Sequence, residues 1–167
     1  MNKKTLCLIR HAKSSWADPS LDDFDRPLNN RGKRDAPFMA QVLYEQLAKV
    51  DKIVSSPAKR AFSTASTFAD TFGIPVQDIK KEERIYEAFP SVIFDVICSL
   101  DDQWTTVLLF GHNPAFTSVA NHFSPFFTDN VPTCGIVQVI SSTEQWTDFS
   151  SDNSIVQAYH YPKQYFH

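Results

Sequence analysis

The sequence predicts an α/β layer fold, on three observations. Short β-like apolar runs alternate with longer stretches whose apolar residues recur at helical spacing. One of those runs, Leu6-Cys7-Leu8-Ile9, is apolar at every position, as a strand covered on both faces must be. No internal repeat or low-complexity segment interrupts the alternation.

After this first strand, Ser14 to Asn30 is polar and carries Pro19, Pro27 and many Asp residues, which reads as a loop. The following helix sets Ala36, Met39, Ala40, Leu43, Leu47 and Val50 on one face. Pro37 lies inside it, so a kink or restart is expected near Asp35. Lys52-Ile53-Val54-Ser55 is the second strand. Ser56-Pro57 reads as a helix start, with an N-cap serine and proline at the first helical position. Ala61, Ala65, Phe68 and Phe72 follow at helical spacing, and Gly73 ends that helix. Val76 to Ile85 reads as extended, and a third helix carries the stripe Phe89, Val92, Ile93, Val96, Ile97 and Leu100. Thr105 to Phe110 is another buried strand. Gly111-His112-Asn113-Pro114 then opens a fourth helix bearing Phe116, Val119, Ala120 and Phe123, with Asn113 expected to cap it. Gly135 to Ser141 and Ile155 to Tyr161 complete the sheet. The fourteen phenylalanines are expected mostly in the core.

A chain of 167 residues suits one domain, spanning residues 1–167, with a full hydrophobic core. Its net charge of −3 lacks the basic excess of a nucleic-acid binder. Cys7, Cys98 and Cys134 are odd in number, widely spaced and set in apolar runs, so they read as small buried hydrophobes. Thr5 to Ile9 is too short for a signal sequence or a membrane span. A cytoplasmic protein with no membrane association is expected.

Three titratable clusters share one topological address, the end of a strand: Arg10-His11, Arg60 and His112. In open α/β sheets ligands gather at the carboxyl ends of strands, and helices starting near Pro57 and Pro114 would aim N–H groups at that rim. Two arginines and two histidines at such a crevice describe a site for a doubly charged oxyanion, with phosphate the best candidate. No Walker loop, Gly-x-Gly-x-x-Gly or Gly-x-Ser-x-Gly word is present. The arginines would repel a metal cation, so no metal and no cofactor is expected.

The local words are Leu8-Ile9-Arg10-His11-Ala12-Lys13-Ser14, Asp25-Arg26-Pro27-Leu28-Asn29-Asn30-Arg31-Gly32, Ser55-Ser56-Pro57-Ala58-Lys59-Arg60-Ala61 and Gly111-His112-Asn113-Pro114. In that order and spacing they resemble the histidine phosphatase superfamily, with alanine where glycine commonly follows the Arg-His pair. The start, the Asp-Arg-Pro-Leu segment and the closing Tyr161-Pro162-Lys163 look like the SixA-type phosphohistidine phosphatase branch. The resemblance covers nearly the whole chain. It implies a three-layer α/β/α sandwich with a mostly parallel central sheet, of the phosphoglycerate-mutase-like kind.

It also implies that His11 attacks phosphorus and that water hydrolyses the resulting phosphohistidine. Arg10 and Arg60 clamp the non-bridging oxygens, and a protonated His112 adds charge as the transition state forms. The two arginines should also hold His11 neutral, as a nucleophile must be. Lys13 and Ser14 follow the nucleophile and are candidate extensions of the phosphate site. Larger members place a general acid near Glu87, whose alternative reading is an exposed loop glutamate. The SixA-type branch generally lacks that acid, and a departing imidazole needs little protonation. Asp25 and Arg26 read as a surface ion pair in a turn. His122 and His160 read as structural, and terminal His167 as mobile.

The expected activity is removal of a phosphoryl group from protein phosphohistidine, with a phosphorylated protein, such as a phosphohistidine domain, as partner. The alternatives are a phosphatase of small phosphate esters, a phosphoglycerate-type mutase, and a non-catalytic module that binds phosphoproteins. About twenty residues between the first motif and the first helix leave little room for the lid a mutase needs. Binding alone would not require His11.

Overall fold

The computed structural model describes residues 2–166; His167 lies outside them. Six strands and four helices follow in the order β1 (Lys4–Arg10), α1 (Asn30–Gln46), β2 (Lys52–Ser55), α2 (Lys59–Phe72), β3 (Lys80–Lys81), α3 (Pro90–Cys98), β4 (Thr106–Gly111), α4 (Ala115–His122), β5 (Ile136–Ser141) and β6 (Ser154–His160). They form one sheet of order β3-β2-β4-β1-β5-β6. The first four strands of that order run parallel, and β5 and β6 join antiparallel at one edge.

The apolar run of β1 splits by strand alternation. Leu6 and Leu8 enter one core with residues of α3 and α4, while Cys7 and Ile9 enter the other with residues of α1 and α2. β4 divides likewise, Val107 and Leu109 against Leu108 and Phe110. The central strands are thus covered on both faces, giving the three layers. Each fully buried Leu or Ile among them contributes about 1.5–3 kcal/mol. Burial drives the Cys7 thiol up to about 12, so it behaves as packing.

Several local expectations are corrected. α1 runs unbroken through Pro37, whose exposed position leaves the carbonyl deprived of its helical donor within reach of water. α2 starts at Lys59, not Pro57, because the Ser56 hydroxyl is engaged by the Ala58 N–H at 3.2 Å in the turn before it. Gly73 closes α2 at φ 69°, as the sequence implies. Within Val76 to Ile85 only Lys80–Lys81 pairs as strand, flanked by 3₁₀ turns. Phe89 precedes α3 and is 76% exposed, so it is not part of the stripe that enters the core. Only Phe68, Phe110, Phe116, Phe123 and Phe149 of the phenylalanines are buried, while Phe24, Phe38, Phe89, Phe126 and Phe127 are exposed. No helix among the described residues is long and apolar enough to cross a membrane.

Candidate active site

Strands β2, β4 and β1 are adjacent in the sheet and end at one level: Arg10 pairs with Gly111 and Ser55 with Phe110. The residues that follow are therefore neighbours although far apart in sequence. The His11 N–H donates to the Gly111 carbonyl and the Ser56 N–H to the Phe110 carbonyl, each at 3.0 Å. These bonds carry the ladder past the strands and bring His11 and His112 to a ring-centroid separation of 5.2 Å.

The His11 Nδ1 lies 2.7 Å from the Ala12 carbonyl oxygen. A carbonyl only accepts, so Nδ1 carries the proton and Nε2 keeps its lone pair. The Ala12 N–H is itself held by the Thr64 hydroxyl of α2 at 3.0 Å. His112 Nε2 is 2.7 Å from the Ser56 hydroxyl. Arg10 donates from Nη1 to the Val131 carbonyl at 3.0 Å. Asn113 accepts from the Thr117 N–H and hydroxyl and donates to the Val131 carbonyl, so it satisfies the first turn of α4 from one residue before the N-cap position, Pro114, and its side-chain bonds go elsewhere than to His112.

Buried polar atoms nearly always find partners. Among the described residues the exceptions are Arg10 Nε, Arg60 Nε, His112 Nδ1 and His160 Nε2. Three of these belong to residues that the strand ends gather here: the Arg10 and Arg60 Nε–H groups are donors suited to an oxyanion, and His112 Nδ1 joins them when it carries a proton. Arg60 and His112 line a cavity of about 400 Å³, with Asp23, Tyr86, Glu87 and Phe89 among its other walls. Another cavity, of about 450 Å³ between the end of α4 and β6, is lined by no arginine, histidine or carboxylate.

Burial is the first reason that His11 falls to about 3; the Ala12 carbonyl opposes it, and Arg60, Arg10 and Arg26 add to it. The arginines alone are thus not the main cause. His112 also falls to about 3, through burial, then His11 and Arg60. At neutral pH this leaves His112 uncharged rather than protonated, against the sequence expectation.

Glu87 does line the cavity, at a left-handed backbone φ of 56°. Arg10, His11, Lys13 and Ser14 are not among its walls: His11 reaches the site beside the His112 ring, while the Ser14 hydroxyl accepts from Arg26 Nη1 at 2.8 Å. Arg26 is no surface residue of a turn. It is buried and pairs with Asp23 rather than Asp25. Asp23 and Tyr86 are residues that sequence reasoning missed. Asp23 accepts from Arg60 through its carbonyl at 2.6 Å and through Oδ2 at 2.9 Å, and Tyr86 donates to Oδ2 at 2.7 Å. Burial alone would raise the Asp23 carboxyl, but the Tyr86 hydroxyl and the arginines outweigh it and hold the group at about 2. The three-residue spacing of Asp23 and Arg26 was the available signal. His122 packs edge-on against Phe94 and Phe123, away from the site.

Comparison with known proteins agrees with this geometry. Residues 6–89 match the model of the histidine phosphatase superfamily, branch 1. An uncharacterized protein of Mycobacterium tuberculosis is 31% identical over 93% of this chain and all of its own length. Phosphoserine phosphatase 1 of Hydrogenobacter thermophilus is 37% identical over 49% of this chain and 37% of its own. A structure from Agrobacterium tumefaciens, provisionally named as the phosphohistidine phosphatase SixA, superposes with a TM-score of 0.78 at 26% identity, covering 96% of this chain and 99% of that one. A match that runs through the strand ends carrying Arg10, His11 and Arg60, and a fold shared almost end to end, identify a phosphatase: the chain belongs to branch 1 of the histidine phosphatase superfamily, on its SixA-type side.

Proposed function

We propose that this phosphatase works through a phosphohistidine formed at His11, and that its substrate is phosphohistidine on a protein. The observation that carries the first part is the Nδ1–Ala12 bond, which leaves an unprotonated Nε2 on a buried ring that feels the charges of Arg60 and Arg10. Nε2 attacks phosphorus, the P–N bond to the substrate imidazole breaks, and that imidazole keeps the electron pair and takes up a proton. Water then cleaves the new P–N bond and returns His11 with free phosphate. Arg10 and Arg60 hold the non-bridging oxygens through Nε–H, and His112 does so through Nδ1. A dianionic phosphoryl group beside His112 favours its protonated form, so the charge expected of this histidine arises with substrate.

The cavity favours a leaving group that needs little acid. Of its two carboxylates, Asp23 is ionised and committed to Arg60, Arg26 and Tyr86, so Glu87 is the single carboxylate of the wall not tied to an arginine. A departing imidazole tolerates that arrangement better than an alkoxide. Exposed Phe89 at the wall and exposed Trp16, stacked on Arg26 at 3.6 Å, offer apolar surface to a macromolecular partner. The unpaired cysteines suit a reducing, cytoplasmic setting.

A second reading, hydrolysis of a small phosphate ester, is favoured by the partial match to a phosphoserine phosphatase. The test is a panel of phosphohistidine protein, phosphoserine, phosphoglycerates and p-nitrophenyl phosphate. Highest kcat/KM on the phosphohistidine protein is expected; highest kcat/KM on phosphoserine would overturn the substrate assignment. Acid-labile, alkali-stable ³²P trapped on the enzyme would mark the N-linked intermediate, and its absence from a turning-over enzyme would remove it.

A further inference from the structure

Asp23 makes more contacts in the site than any role in the chemistry requires. Its Oδ1 accepts from Arg26 Nε at 3.2 Å and Nη2 at 3.1 Å. Its Oδ2 accepts from Arg60 Nη2 and from the Tyr86 hydroxyl, and its backbone carbonyl accepts from Arg60 Nη1. One residue thus joins two buried arginines and a tyrosine, and it sits on a single 3₁₀ turn, Asp23–Asp25, in the segment between β1 and α1.

The way Arg60 is held matters. A guanidinium is planar and offers its donors along two kinds of edge. Asp23 takes the end of the fork, one hydrogen from each terminal nitrogen. The side edge, Nε–H with the remaining Nη2 hydrogen, is left over, and Nε is buried without a partner. A free arginine of this length samples many rotamers; this one is fixed from behind with a bidentate edge unspent.

We propose that Asp23 is the positioning residue of the phosphate clamp: it grips the end of the Arg60 guanidinium so that its Nε–Nη2 edge is presented to the phosphoryl oxygens. Arg26, stacked on Trp16 and bonded to Ser14 and Ser15, anchors Asp23 in turn. This rests on the reading of Arg60 as a clamp residue. The opposite role for the same contacts is a plug, a carboxylate occupying the place of the phosphate, and the two differ in sign.

The experiment measures vanadate and inorganic phosphate inhibition of p-nitrophenyl phosphate hydrolysis in wild type, Asp23→Ala, Arg60→Ala and the double variant, with melting temperatures alongside. Positioning predicts that Asp23→Ala weakens both inhibitors about tenfold, the size of one charge-assisted hydrogen bond. It also predicts that Asp23→Ala costs nothing further once Arg60 is alanine. A purely structural residue would lower the melting temperature without that coupling. Tighter inhibition in Asp23→Ala would make the residue a plug, and an equal loss in both backgrounds would detach it from Arg60; either overturns the proposal while leaving the clamp intact. Unchanged inhibition in Arg60→Ala itself would instead overturn the clamp reading, and the proposal with it. Asp23→Asn, which keeps an acceptor oxygen and loses the charge, is expected to weaken inhibition about threefold and decides the question if the alanine variant does not fold.

Discussion

Because a backbone carbonyl accepts and never donates, the Ala12 oxygen decides which nitrogen of His11 is bare. His11→Ala should therefore lower turnover by several orders of magnitude, the range seen when nucleophiles are removed, and retention of more than about a tenth of wild-type activity would contradict the assignment. Arg10→Lys and Arg60→Lys should recover only part of the vanadate affinity lost in the alanine variants, since an ammonium cannot reproduce a planar donor edge. Glu87→Gln is expected to cost a few-fold on phosphohistidine and about a hundredfold on an alkyl phosphate, read as kcat at one pH. Equal losses on both would leave Glu87 without an acid role. At this scale Arg10, His11, Arg60 and His112 were legible in the sequence because each stands in a short local word at a strand end. Asp23 was not. Its partners Arg60 and Tyr86 are distant in sequence, and its three-residue spacing from Arg26 is a faint local mark among the neighbouring Asp22 and Asp25.

Among the elements, β1, β2, β4, β5 and β6 were read to within two residues at each end, the central ones because apolar runs buried on both faces leave few alternatives, whereas β3 shrank to the exposed pair Lys80–Lys81, which carries no apolar pattern. Helix starts were less legible. Ser56-Pro57 has the composition of an N-cap, yet the Ser56 hydroxyl stands in a turn between the Ala58 N–H and His112. α1 does begin with a side-chain cap, the Asn29 Oδ1 accepting from the Gly32 N–H at 2.9 Å. Gly32 also lets that first turn press on the loop after β1, where a Cβ would overlap the Lys13 carbonyl oxygen. Alanine ordinarily favours a helix over glycine by about 1 kcal/mol, but overpacking against backbone costs about 1–3 kcal/mol, so the clash should win. Gly32→Ala is expected to lower the melting temperature by a few degrees and, because Lys13 lies two residues from His11, to lower kcat as well. A more stable variant with unchanged kcat would show that the loop yields freely.

For the molecule as a whole, the buried His11 and the half-buried His112 set a pH dependence of stability. Each is near 3 when folded against an ordinary 6.5. Between those values the unfolded chain binds protons that the folded one refuses. Their contribution is therefore complete above about pH 6.5 and is lost as pH falls toward about 3, at up to about 1.4 kcal/mol per unit for each histidine. Melting temperatures between about pH 7 and pH 5 should fall with acidification, and His112→Asn should flatten the slope; a pH-independent melting temperature would contradict the burial of both rings. The adjacency of β2, β4 and β1 carries a further consequence for how the site comes into being. His11, Arg60 and His112 each sit some fifty residues from the next, so bringing them together requires closing long loops and pairing parallel strands, whose entropy is lost before any contact rewards it. No fragment shorter than about a hundred residues contains the site, and recovery of activity during refolding should coincide with the slowest global phase rather than precede it.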